Sequence, residues 1–174
     1  MPEDFLDPAS IIRSHLELKP GMVAADFGCG SGGWTIPMAK TMEGGKVYAI
    51  DIQEEPLSAL RGKLRSQGIF NVETIRMDVE KTILRLLDNS VHFVLLSNVL
   101  FQTDNKKGTL EEAKRILRPD GKILVIDWEK NATAGPETRI SAEEVRSLAD
   151  SVGLLFVEAF KAGGYHYGII FKKP

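Results

Sequence analysis

The sequence is poor in the residues that would give it an easy chemical label. It has one cysteine, Cys29, which excludes an internal disulfide framework and a cysteine cluster for zinc. It has no apolar run long enough to span a bilayer. Its first ten residues, MPEDFLDPAS, are acidic and lack an apolar core, so no signal peptide is expected. It lacks any strong excess of one charge: the net charge of −2 argues against a broadly electrostatic nucleic-acid binder, though not against a local basic patch. There are no internal repeats, linkers or low-complexity segments. With 174 residues, 43% apolar and 26% charged, the expectation is a single cytoplasmic domain over residues 1–174 with a sizeable core.

What is present is an alternation. Asp7-Pro8 opens a helix with Ile11, Ile12, His15 and Leu16 on one face, and Pro20-Gly21 ends this lead-in over residues 1–20. Met22–Phe27 reads as a buried strand running into glycines. Trp34–Met42 is a helix with Pro37 tolerated in its first turn, Lys46–Asp51 a strand, Pro56–Gln67 a helix and Val72–Met77 a strand. A short helix is expected at Ile83–Leu87 and a strand covered on both faces at Val91–Ser97. Thr109–Leu117 is a helix stopped by Arg118-Pro119-Asp120-Gly121, followed by a strand over Lys122–Trp128 and a loop over 131–139. Ser141-Ala142-Glu143-Glu144 is a capping box that opens the last helix, and 154–174 reads as a terminal β-hairpin. The fold class that follows is α/β: a Rossmann-like, doubly wound, mostly parallel sheet of seven strands with an antiparallel C-terminal hairpin and helices on both faces.

The stretch DFGCGSGG, residues 26–33, joins the first strand to a helix. Gly28, Gly30 and Gly32 spell G-x-G-x-G, and Gly28, Gly30 and Gly33 spell the dinucleotide pattern G-x-G-x-x-G. Glycines there permit positive φ and a close approach of backbone to ligand. Asp26 tilts the choice, because a carboxylate repels a pyrophosphate but suits the ammonium and sulfonium of S-adenosylmethionine (SAM). Asp51 ends the second strand and can accept from ribose hydroxyls of either ligand. Asp78 follows the third strand, where it can accept from an adenine amino group, while Val79 offers a backbone N–H and apolar contact. Asn98 follows the fourth. Strand ends of a doubly wound sheet share one rim, which is where ligands bind.

On these residues the chain resembles a class I SAM-dependent methyltransferase over essentially its whole length. The matching pieces are DFGCGSG, VYAID, RMDV, LLSNVLFQ and LRPDGKILVID, and the terminal hairpin is similar to that fold's last two strands. Within the class it is most similar to the small-molecule branch, where a loop like WEKNATAGPETRIS is also found. The D/N-P-P-Y signature of many amino-group methyltransferases is absent, and an arsenite-type activity lacks its cysteines. The resemblance implies SAM as cofactor, bound by Asp26, Gly28, Cys29, Gly30, Gly32, Asp51, Ile52, Asp78, Val79 and Asn98, with no metal and no assigned catalytic residue. The implied partner is an unidentified small-molecule acceptor, with no membrane and no strong nucleic-acid signal; a homodimer is left open. Alternatives are a non-catalytic SAM-binding or partner-binding module, an RNA or protein methyltransferase, and a nicotinamide-dependent oxidoreductase, against which Asp26 and the hairpin argue.

Asn98, Gln102 and Trp128 are the polar and aromatic candidates beside the methyl group. Arg139 reads either as a holder of an anionic acceptor or as a solvated surface cation. His15 is a candidate for lining the site, His92 is structural, and His166 faces solvent or a neighbouring chain. The Trp128–Ile140 loop and the first helix are expected to close the acceptor pocket.

Overall fold

The computed structural model describes residues 6–81 and 85–174. The first helix, α1 (Pro8–His15), begins where the Asp7 carboxylate accepts from Ser10 N at 3.2 Å. There follow β1 (Val23–Phe27), α2 (Thr35–Thr41), β2 (Lys46–Asp51), α3 (Glu54–Ser66), β3 (Val72–Arg76), β4 (Val91–Ser97), a 3-10 turn at Leu100–Gln102, α4 (Lys106–Ile116), β5 (Leu117–Trp128), α5 (Ala142–Ser151), β6 (Leu155–Lys161) and β7 (His166–Lys172). Of the helix expected over Ile83–Leu87, Ile83 and Leu84 lie outside the described residues, and Arg85–Leu87 are not helical.

The strands form one sheet in the order β3-β2-β1-β4-β5-β7-β6. The first five are parallel, and β7 is antiparallel to both β5 and β6. The alternating residues of the central strands show why helices cover both faces. Val94 and Leu96 of β4 and Ile123 and Val125 of β5 pack with Ala113 and Ile116 of α4 and Val145 and Ala149 of α5. Their neighbours Phe93, Leu95, Leu124 and Ile126 point the other way, onto Ile11 and Ile12 of α1 and Met38 of α2. Leu57, Leu60 and Leu64 of α3 close over Ala49 and Cys29. Because β1 lies between β2 and β4, the strand order reverses beside it, and a crevice opens at the carboxyl ends of β1 and β4.

Two boundaries differ by three residues or more from the sequence expectation. The turn-forming run Arg118-Pro119-Asp120-Gly121 lies inside β5 rather than before it: the β4–β5 register shifts between Val91 and Phe93, and Asp120 adopts φ 64°. This is a bulge, which absorbs turn chemistry without ending the strand. Helix α4 starts three residues early because the Asn105 side chain accepts from Gly108 N at 2.9 Å and caps it. Its first turn, Lys106-Lys107-Gly108, carries no apolar residue and so no periodicity.

Candidate active site

The turn after β1 settles which glycine spelling matters. Gly28, Gly30 and Gly32 have φ of 68°, 52° and 90°, whereas Gly33 is not in the left-handed region. A Cβ on Gly28 would lie 2.7 Å from a Val99 methyl, and one on Gly32 2.4 Å from Leu60, so both positions are packed. A Cβ on Gly30 would meet no protein atom within 4 Å. Gly30 borders a cavity of about 480 Å3 at the carboxyl ends of the strands, within the size range of small-ligand sites.

Gly28, Asp51, Ile52, Asp78, Val79 and Asn98 line this cavity with Gly30. Asp51 is held by two backbone donors: Oδ2 accepts from Gly30 N and Oδ1 from Gln53 N, both at 2.9 Å. The β2 end and the glycine turn are thereby tied together. Asp78 turns its own loop, with Oδ1 accepting from Glu80 N at 3.0 Å, and so serves as turn former and wall at once. Asn98 has φ 58°, its N–H donates to Ile126 O at 2.8 Å, and its Oδ1 is buried with no hydrogen-bond partner. Leaving such an oxygen unmet costs roughly 1–3 kcal/mol, which marks it as a place for a ligand donor.

The other sequence candidates lie behind this wall. Cys29 is buried against α3, its thiol turned toward Gly30 O at 3.6 Å. Asp26 is 1% exposed and accepts from the Thr35 hydroxyl at 2.5 Å. Burial pushes its carboxyl up to about 7, against the Thr35 hydrogen bond and helped by the charge of Asp51. An unfolded aspartate ionises near its ordinary value, about 3.9. Between the two values the folded chain holds a proton that the unfolded chain has released. The contribution of this group is therefore complete below about pH 4, falls as pH rises, and is lost above about 7. Asp26→Asn is expected to flatten that slope, gaining on the parent protein by a few kcal/mol at most between pH 4 and pH 8. Urea midpoints of both proteins across that range check it, and parallel curves would contradict it.

Gln102, expected beside the methyl group, lines the cavity; sequence reasoning missed Gln53, Met77, Glu80, Ser97 and Thr103, which line it too. Glu80 was the findable one, two residues after Asp78. Gln102 and Thr103 reach the cavity through the 3-10 turn after β4, held by Phe101 N donating to Asp127 Oδ2 at 3.1 Å and by Gln102 Nε2 donating to Asn98 O at 2.7 Å. Burial raises the Asp127 carboxyl to about 6, opposed by the backbone N–H groups of Trp128 and Phe101.

The lining of the cavity carries Asp51, Asp78 and Glu80 and, among the described residues, no lysine, arginine or histidine. An anionic pyrophosphate is poorly served by such a wall; a cationic ligand is well served.

Residues 25–125 match the methyltransferase domain family. The chain belongs to that family. A SAM-dependent methyltransferase from Aquifex aeolicus is 31% identical, with a TM-score of 0.88 over 97% of this chain and 90% of its own. Demethylmenaquinone methyltransferase of Bacillus mycoides (strain KBAB4) is 29% identical over 121 residues, 69% of this chain and 50% of its own length. The chain thus spans about half the length of the curated relatives it matches. The [4+2]-cyclase SpnF shares the fold alone, with 15% identity and a TM-score of 0.83 over 95% of this chain and 79% of its own. The cofactor of this methyltransferase domain is SAM, and the acidic cavity fits it: the carboxylate-rich wall suits a ligand bearing a sulfonium and an ammonium.

Other parts of the methyltransferase domain correct the expectations for Arg139, His15 and His166 and keep the structural reading of His92. The Arg139 guanidinium donates to the carbonyls of Pro136, Glu129, Lys130, Ala132 and Ala134. It is the hub of the loop after β5, neither a solvated cation nor free for an anion. His15 stacks on Phe160, with ring centroids 3.6 Å apart, and bonds Glu158 at 3.2 Å, so it serves the contact of α1 with β6 and does not line the cavity. His92 stands at the opposite rim, accepting from Val23 N at 3.1 Å and meeting Arg118 at 2.8 Å. His166 is buried rather than exposed to solvent. Arg139→Ala is expected to abolish amide protection across residues 129–139 while leaving SAM affinity within about twofold, since none of these residues lines the cavity. Hydrogen exchange with calorimetry checks this; unchanged protection would show that the loop holds without its hub.

Proposed function

We propose that this protein transfers the methyl group of SAM to a small-molecule acceptor. The observation that carries the reading is the cavity wall of three carboxylates and, among the described residues, no basic side chain, set at the point where the strand order reverses. When bound, SAM supplies a methyl group already activated on a cationic sulfur. Asp51, fixed from two sides, accepts from the ribose hydroxyls. Asp78 and Val79 border the adenine, with Ile52 as apolar cover. Asn98 Oδ1 takes a hydrogen from the amino-acid end or from the acceptor. Gly28 and Gly30 keep the turn thin enough for close approach, and Asp26, Cys29 and Gly32 shape the turn from behind. The residues contribute alignment and removal of water, which is sufficient for much of such a barrier.

A cleft of about 560 Å3 adjoins the cavity through Gln102 and Thr103 and is walled by Pro136, Glu137 and Thr138 of the Arg139-bound loop. Its size favours a metabolite over a nucleic acid, and the quinone-directed name of the Bacillus relative favours a ring-bearing one. No α1 residue lines the cleft or the cavity, so the loop, rather than the first helix, forms the mouth in this reading. None of the described helices is long and apolar enough to cross a membrane. A single domain in the cytoplasm, with its one thiol unpaired, completes the proposal.

The test is incubation of a cell extract with the protein and methyl-labelled SAM, followed by mass spectrometry. Label in a small organic molecule is expected. Label in RNA or protein would overturn the acceptor class, and no transfer with intact SAM binding would make this a non-catalytic binding module.

A further inference from the structure

The antiparallel pairing of β5 with β7 sets Trp128 opposite His166 at the rim that carries Asn98. Strand β5 lies between β4 and β7, so His166 stands two strands along the rim from the end of β4. Neighbouring strands are about 4.8 Å apart, which puts His166 roughly 10 Å along the rim from the end of β4, with Trp128 of β5 between them.

His166 is 5% exposed, and neither of its ring nitrogens has a hydrogen-bond partner. The other two histidines are spent, His15 on Glu158 and His92 on Val23 N and Arg118. An imidazole placed here without partners is costly, and an apolar ring of similar size would avoid the cost. The Trp128 indole lies beside it, with ring centroids 4.1 Å apart. Gly135, at φ 104°, rests so closely on the indole that a Cβ would come within 2.4 Å of it. The loop bundled by Arg139 therefore lies directly over Trp128.

We propose, resting on the methyl-transfer reading above, that His166, which lines neither the cavity nor the cleft while the loop is down, becomes the acceptor-binding residue once the loop lifts, taking a hydrogen bond from the hydroxyl of a planar, hydroxylated acceptor that lies along Trp128. Burial lowers the pKa of the imidazole and so favours its neutral form, which has one nitrogen to accept a hydrogen and one N–H to donate. The indole supplies a flat apolar contact for the ring. Together they select a flat molecule with a hydroxyl group over an aliphatic or anionic one.

The experiment uses the full chain, labelled with 15N-histidine and loaded with S-adenosylhomocysteine. It is titrated with catechol, phenol and 1,4-naphthohydroquinone as probes, with toluene as the hydroxyl-free control. At least one hydroxylated probe is expected to shift the His166 ring nitrogens saturably, and toluene is not. His166→Phe is expected to weaken that probe about tenfold, His166→Gln to retain part of the binding, and both to keep S-adenosylhomocysteine affinity within about twofold. Ring nitrogens that do not respond to any hydroxylated probe overturn the proposal, and so does a His166→Phe protein that binds the probe as tightly as the parent. The wild-type titration decides the matter even where a variant fails to fold. Failure of S-adenosylhomocysteine to bind the parent protein would strike the cofactor reading instead and is measured separately.

Discussion

Asp51→Ala is expected to weaken SAM binding about ten- to a hundredfold while the protein stays folded. The proposed role of Asp51 is to accept from the ribose hydroxyls with a carboxylate already aimed by Gly30 N and Gln53 N. A charge-assisted hydrogen bond of this kind contributes roughly 1.5–3 kcal/mol, which is about one to two decades in affinity. The two backbone donors lose their acceptor in the variant, but they border the cavity and water can replace it, so the loss of stability should be small. Asp51→Asn, which keeps an acceptor oxygen without the charge, should fall between. Calorimetry reads all three proteins. Unchanged affinity in a folded Asp51→Ala protein would mean that the ribose lies elsewhere.

Gly30→Val is expected to reduce SAM affinity by at least about a hundredfold, near 2.7 kcal/mol. The side chain would enter space where no protein atom lies within 4 Å, and that space borders the cavity. A φ of 52° adds strain of roughly 1–2 kcal/mol for a residue with a Cβ. Gly28→Ala provides the contrast. Its Cβ would press on Val99 at 2.7 Å, so the cost should appear mainly as a lower melting temperature. A Gly30→Val protein that binds SAM as well as the parent would place the ligand outside this turn.

Strands β2 and β4 were legible to the residue, because each is an apolar run closed by a polar residue at the rim. The start of β5 was not. Pro119 and Gly121 read as a stop, and only the pairing with β4 reveals a bulge. The same division holds at the site. Asp51, Asp78 and Asn98 were readable because they stand at or just past strand ends, where a parallel sheet must bring them together. Asp26 stands one residue before the end of β1, so its side chain turns beneath the glycines and is met by Thr35. Cys29 and Gly32 face α3 because the turn rotates them there, a rotation that composition does not encode. Thr103 depends on a 3-10 turn too short to show a period. The place of His166 depends on hairpin register, and the role of Arg139 depends on a loop folding around its own side chain. Contacts of that kind are set by tertiary structure and leave no local pattern.

The acidic wall of the cavity makes the glycine turn a site for a cationic cofactor rather than a dinucleotide. Calorimetric titration of the purified protein with S-adenosylhomocysteine and SAM, and separately with NADH and NADPH, tests that claim most directly. Saturable binding of SAM and its demethylated product at one site per chain is expected, with negligible heat from either nicotinamide cofactor. Tighter binding of NADH or NADPH than of SAM would contradict it.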